Sequence, residues 1–170
     1  MPDQGLRPVF GSSRGSEPAA GARRATHDIE QCLIPSGTFT MGDSSGDRNP
    51  ADGEVPRHSV SLAAFFIDAT PVTNDAFARF VGDTRYATEA ESFGFSAVFH
   101  LALAAPEEDV MGITAGAPWR LGVRGADWRR PGGRRSSIEG LGHDPVVHVS
   151  WNDATASCEW AGRRLPTEVE

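Results

Sequence analysis

Two thiols, Cys32 and Cys158, stand 126 positions apart in a chain of 170 residues. So few cysteines exclude a disulfide-dense scaffold and an all-cysteine zinc ribbon. Five histidines, His27, His58, His100, His143 and His148, show neither the i, i+4 helical pairing with a Glu between nor a nearby Cys-x-x-Cys, so no zinc motif is spelled out. His148, beside Trp151, reads as a core or structural histidine. The acidic stretch 43–54 has the length of an EF-hand loop and oxygens at its first, third, fifth and last positions. Arg48 stands where that loop needs Gly, Pro50 intrudes and strands flank it, so a solvated acidic loop is expected. No Gly-x-Ser-x-Gly elbow and no phosphate-binding loop occurs, which leaves hydrolase and nucleotide chemistry without a motif. Trp119 follows Pro118, where an aromatic ring can plug a core or floor a groove for a peptide.

The elements that would carry these groups are short. Gly37-Thr38-Phe39-Thr40-Met41-Gly42 alternates polar with apolar residues, as a half-buried strand does. His58-Ser59-Val60-Ser61-Leu62 alternates again and runs into Ala63-Ala64-Phe65-Phe66-Ile67, which predicts one strand buried on both faces towards its end. Thr73 is placed to cap a helix over 74–81, with Phe77, Phe80 and Val81 as its apolar stripe and Gly82 as its end. Residues 84–141 scatter Gly, Pro and Trp without a sustained period and read as loop-rich. A short strand is expected over 145–149. Ser150 and Asp153 then approximate a capping box for a second helix, on which Ala154, Cys158 and Ala161 share a face before Gly162. Thr167-Glu168-Val169-Glu170 has the spacing of a further capping box, so the chain is expected to break off inside a larger domain.

Composition bounds the class of function. Residues 1–30 are rich in Gly, Ser, Pro, Ala and Arg without an apolar period and are expected to be a disordered leader, leaving 31–170 as the domain. The leader holds no apolar core of a secretory signal, which points to a cytoplasmic location. The longest apolar-leaning run, 97–106, is about half the ~20 residues of a membrane span, so no membrane partner is expected. Sixteen basic residues, all Arg, oppose 23 acidic ones for a net charge of −7, which argues against nucleic acid as a partner. The lack of Lys suggests a GC-rich bacterial source.

Four runs are specific enough to point to a family: Ile34-Pro35-Ser36-Gly37-Thr38-Phe39-Thr40-Met41-Gly42; Pro71-Val72-Thr73-Asn74 with Phe77 and Phe80; Val147-His148-Val149-Ser150-Trp151-Asn152-Asp153-Ala154; and Trp160-Ala161-Gly162-Arg163-Arg164-Leu165-Pro166-Thr167-Glu168. In order and spacing they resemble the sulfatase-modifying-factor domain. Thr88-Glu89-Ala90-Glu91-Ser92-Phe93-Gly94 before Ser96, and Ala117-Pro118-Trp119 before Arg124-Gly125-Ala126-Asp127-Trp128-Arg129, resemble its formylglycine-generating branch.

The resemblance implies a loop-rich α+β fold akin to C-type lectins, present here only as its N-terminal portion. It implies an oxidoreductase that converts the cysteine of a Cys-x-Pro-x-Arg segment in an unfolded sulfatase to formylglycine with molecular oxygen and copper(I) held by two thiolates, a soft metal on soft ligands. Those thiolates, and the family's calcium ligands, belong to a C-terminal half near a Leu-Arg-Gly-Gly-Ser segment that this chain lacks. Neither Cys32 nor Cys158 can be carried over as a catalytic thiol, so no cofactor is expected in this chain and the chain alone is expected to be inactive. Cys158 stands where some relatives have a structural cysteine bridged to the other half; the alternative is a small buried apolar residue. Ala90, Ser96, Ala117 and Trp119 map to the side of the family's peptide cleft. Arg120 in place of a second Trp, Pro71 in place of an acidic residue and the order His143-Asp144-Pro145 depart from the family pattern. The alternative reading is a non-catalytic, lectin-like binding module of the same superfamily. A sulfoxide synthase is disfavoured, because the leader is too short for its helical bundle.

Overall fold

The computed structural model describes residues 27–46 and 55–170. Residues 1–26 of the expected leader and residues 47–54 of the acidic loop lie outside the described residues. Residues 27–30, assigned by composition to the leader, are instead held against the domain: His27 is buried, and Ala69 N–H donates to Glu30 O at 2.8 Å.

Strands β1 (Gln31–Ile34), β2 (Gly37–Met41), β3 (His58–Leu62) and β4 (Phe65–Asp68) form two antiparallel ribbons, β1 with β4 and β2 with β3. The expected single strand from His58 therefore splits at Ala63 and Ala64. Its end is not buried on both faces either: Phe66, opposite Leu33, is 62% exposed. One face of a two-stranded ribbon has little to pack on. In the β2–β3 ribbon only β3 alternates towards its end, with Val60 and Leu62 partly buried. β2 is exposed from Gly37 to Thr40, Phe39 included, so the half-buried strand expected there is not formed, and Thr38 and Ser61 hydroxyls are bonded across the strands at 2.9 Å.

Helix α1 (Asn74–Thr84) begins where Thr73 Oγ1 accepts the Ala76 N–H at 3.3 Å. Two further first-turn amides are covered by the segment before the second long helix: Asn74 N–H donates to Asp144 O and Asp75 N–H to Gly142 O, both at 2.9 Å. Gly82 does not end the helix. Thr84 Oγ1 donates to Phe80 O, and left-handed Arg85 closes the turn with its N–H on Val81 O.

The stretch expected to be loop holds helix α2 (Glu89–Phe93) and the antiparallel sheet of β5 (Phe95–Phe99), β6 (Val110–Thr114) and β7 (Ala117–Arg124), in the order β5-β7-β6. Thr88 and Glu91 form a complete capping box on α2, and Gly94, at φ 76, makes the left-handed turn that sends the chain straight into β5. Residues 145–149 are not a strand. Pro145 bridges Thr73 and Val146 N–H reaches Val72 O, but His148 at φ 58 breaks the extended run.

Helix α3 (Trp151–Trp160) opens with the expected box: Ser150 Oγ accepts the Asp153 N–H at 3.1 Å, and Asp153 accepts the Ser150 N–H at 2.8 Å. Its most buried stripe is Asp153, Ser157 and Ala161, one residue round from the expected Ala154, Cys158 and Ala161. At Thr167, Glu170 accepts the backbone N–H at 2.9 Å. The Arg164 guanidinium gripping the same carboxylate through two nitrogens holds it down to about pKa 2.

Two cores hold these pieces. One gathers Phe77, Phe80 and Val81 of α1 with Trp128, their rings meeting edge to face at 5.3–5.4 Å between centroids. The other gathers Val98, Val123 and Ala126 under the three-stranded sheet. The result is the expected α+β, loop-rich architecture.

Candidate functional site

An open groove of about 880 Å³ runs between α2, β5 and the irregular segment before α3. Its lining is mostly apolar, with Phe93, Phe95 and Phe99 along one side, while Glu89, Arg120 and His148 supply its charged or titratable groups. Both Ser96 and its neighbours Phe95 and Ala97 line it, although alternate residues of a strand point to opposite faces. The groove therefore follows the edge of β5. Gly125 N–H donates to Gly94 O in continuation of the β5–β7 register, so Ser96 and Val98 exchange main-chain bonds with β7. The N–H and C=O groups of Phe95, Ala97 and Phe99 then face away from β7, on the outer edge of the sheet.

Ala90 and Ser96 both line this groove. Ala117 and Trp119 lie on β7 and do not. Strand alternation sends Trp119, 52% exposed, to the face opposite Arg120, and it is Arg120 that reaches the groove.

His148 joins the groove across a long sequence gap. Its Nδ1 is 2.8 Å from Ser96 Oγ and its Nε2 is 2.7 Å from the Pro131 carbonyl oxygen. A carbonyl only accepts, so Nε2 carries the proton and Nδ1 accepts from the Ser96 hydroxyl. Burial pushes the His148 imidazole below its usual range, and Arg120 adds to this; the Pro131 carbonyl and Asp127 pull the other way without reversing it. Sequence reasoning missed this pairing because nothing between two valines announces a partner 52 residues earlier.

Glu91 and Asp153 fix the groove's helical walls. Burial alone would raise the Glu91 carboxyl, but the Thr88 N–H and hydroxyl, each at 2.9 Å, and the Arg129 guanidinium outweigh it and lower the pKa. Asp153 Oδ1 accepts from Tyr86 O–H and Glu89 N–H, each at 3.1 Å, tying α3 to the start of α2.

The two thiols do not fit a two-thiolate copper site. Cys32 is exposed on β1, whereas Cys158 is half-buried in α3 beside Asp68, and burial pushes its thiol up, away from the thiolate that a soft metal needs. Among the described residues, no group of three or more His, Cys, Asp or Glu side chains is gathered to hold a metal ion. In the described part of the acidic loop, Asp43 instead accepts the Ser45 N–H at 2.8 Å and the Gly46 N–H at 2.9 Å.

The class that fold and site define is a loop-rich α+β domain with an open, strand-edged groove. The chain belongs to the family described as sulfatase-modifying factor enzyme 1-like domain, whose model matches residues 17–170. It is 58% identical over 156 residues to a formylglycine-generating enzyme of Streptomyces coelicolor, covering 91% of this chain and 49% of that protein. It is also 44% identical over 137 residues to the inactive C-alpha-formylglycine-generating enzyme 2 of Mus musculus, covering 81% of this chain and 44% of that protein. PvdO from Pseudomonas aeruginosa superposes with a TM-score of 0.48 at 20% identity, over 88% of this chain and 47% of that one. The chain thus spans about half the length of the curated relatives it matches. Among the described residues no helix is long and apolar enough to cross a membrane.

Proposed function

We propose that this chain forms the peptide-holding half of a formylglycine-generating oxidase. The observation that carries the reading is the open groove along β5, in which Ala90 and Ser96, two of the four residues the family resemblance assigns to its peptide cleft, come together. In this reading the groove receives an extended Cys-x-Pro-x-Arg segment of an unfolded sulfatase in a bacterial cytoplasm. Ala117 and Trp119, which do not line the groove, are assigned to the same polypeptide on the family resemblance alone. Oxidation of the cysteine needs molecular oxygen and a copper(I) site of paired thiolates, and calcium accompanies the complete domain. The thiols present do not fit such a site, so the oxidising groups are assigned to the half of the relatives that this chain does not span.

The test is a fluorescent Cys-x-Pro-x-Arg peptide, with binding read by anisotropy and turnover by mass spectrometry after incubation with copper(I). Binding without loss of sulfur is the expected result. Formylglycine formed by the chain alone would show that Cys32 or Cys158 has been misjudged. A second reading, a binding module without catalysis, is favoured by the 44% identity to a relative named inactive. Joining the chain to the remainder of the Streptomyces relative separates the two, since only the first reading expects that hybrid to oxidise the peptide.

A further inference from the structure

We infer that His148 is a positioning residue that holds the Ser96 hydroxyl as an acceptor in the groove, making a subsite for an N–H donor on the main chain of an extended peptide. The inference rests on reading the groove as a peptide site and adds what that site selects.

A serine hydroxyl has one proton and two lone pairs, and in a solvated groove it rotates to suit whatever approaches. Here the rotor is fixed. The Pro131 carbonyl can only accept, so the imidazole proton sits on Nε2 and the bare Nδ1 takes the Ser96 proton at 2.8 Å. What Ser96 retains for the groove is lone pairs. A ligand presenting a carbonyl at this point meets repulsion, whereas one presenting an N–H finds a partner.

The position of Ser96 makes the ligand's donor a main-chain one. Ser96 lies on β5, whose neighbouring residues Phe95, Ala97 and Phe99 present alternate N–H and C=O groups along the same groove. His148 itself is held at φ 58, a conformation that costs a non-glycine residue about 1–3 kcal/mol and persists where surrounding contacts enforce it.

The arrangement inverts on protonation. An imidazolium donates from both nitrogens, so Ser96 would accept from His148 and turn its own proton to the groove. The charged groups facing His148 are Asp127, which favours the imidazolium, and Arg120, which opposes it; burial opposes it most. The acceptor form is therefore the one present at neutral pH, and it is lost as pH falls below the ordinary histidine value of about 6.5.

Three measurements on the 170-residue chain test this. Long-range ¹⁵N–¹H correlation at pH 7.5 reads the tautomer directly and needs no variant; a proton on Nδ1 of His148 would overturn the inference. Ser96→Ala should weaken binding of the Cys-x-Pro-x-Arg peptide about 5- to 10-fold at pH 8, the value of one hydrogen bond. The wild-type affinity should fall as pH is lowered from 7 to below the ordinary histidine value while that of Ser96→Ala stays flat over the same range, and parallel profiles would mean that His148 acts only on the fold. His148→Asn keeps a residue that tolerates the left-handed backbone and should flatten the profile as Ser96→Ala does. No peptide binding at pH 8 despite the Nε2–H tautomer would overturn both this ligand and the reading of the groove. Binding with the wrong tautomer would overturn this inference alone.

Discussion

Asp153 accepts three donors from three segments: the Ser150 N–H, the Tyr86 hydroxyl and the Glu89 N–H. The burial of Tyr86 and the adjacent carboxylate push its hydroxyl pKa up, so it remains a donor throughout the neutral range. Asp153→Ala strands all three donors and should cost about 3–5 kcal/mol in urea denaturation, while Asp153→Asn, which keeps one acceptor oxygen, should cost less. His27 offers a second test at this scale. Its Nδ1 accepts the Ile29 N–H at 3.2 Å, which leaves the proton on Nε2, 3.2 Å from Asp68 Oδ2. Burial lowers its pKa despite Asp68, so below the ordinary value of about 6.5 the unfolded chain takes up a proton that the folded chain resists. Stability from His27, and from His148 by the same sign, is fully present above that pH and falls as pH drops towards the folded values. Thermal melts at pH 7.5 and pH 5 should show a lower midpoint at pH 5, and His27→Gln should shrink the difference. An acid-side gain would refute the assigned protonation.

At the scale of elements, the chain was legible where its signals are local. Thr73 before α1, Ser150 with Asp153 before α3 and the Phe77–Phe80–Val81 stripe are each contained within five residues, and each appears in the fold. The sheet of β5, β7 and β6 was not legible, because its strands carry Pro118, Gly112 and Gly122 and β5 is defined by partners 21 to 29 positions away rather than by its own period. Gly112, at φ 120 beside a register shift, marks a bulge that alternation alone conceals. Of the groove, Ala90 and Ser96 were found by resemblance, whereas His148 and the free edge of β5 required the third dimension. Thr88 is fully buried and serves both sides of its capping box, so Thr88→Ala should cost about 1–2 kcal/mol and loosen α2 against the groove, checked by thermal melting. The tryptophans separate packing from display. Trp128→Ala, at 2% exposure among Phe77 and Phe80, should lose about 3–5 kcal/mol. Trp119→Ala, half exposed on β7, should move the same urea midpoint by under about 1 kcal/mol, leaving any effect on peptide affinity to be measured separately.

Among the described residues the apolar core falls into two clusters, and the groove lies between them. Val146 and Val149 of its far wall pack on the Phe77 cluster, while β5, its near wall, belongs to the Val98 cluster. Among the described residues, the links from one wall to the other include the Ser96–His148 bond, Asp153 to Glu89, and Asn152 to Glu89 at 2.6 Å. Two such bodies need not open together, so amide hydrogen exchange should divide the chain into two protection classes, one reporting on α1 and the other on β5 and β7. A peptide lying in the groove touches both bodies at once and acts as a suture. Its binding should slow exchange at Phe77 and Val123 alike, merging the two classes into one, even though neither residue meets the ligand.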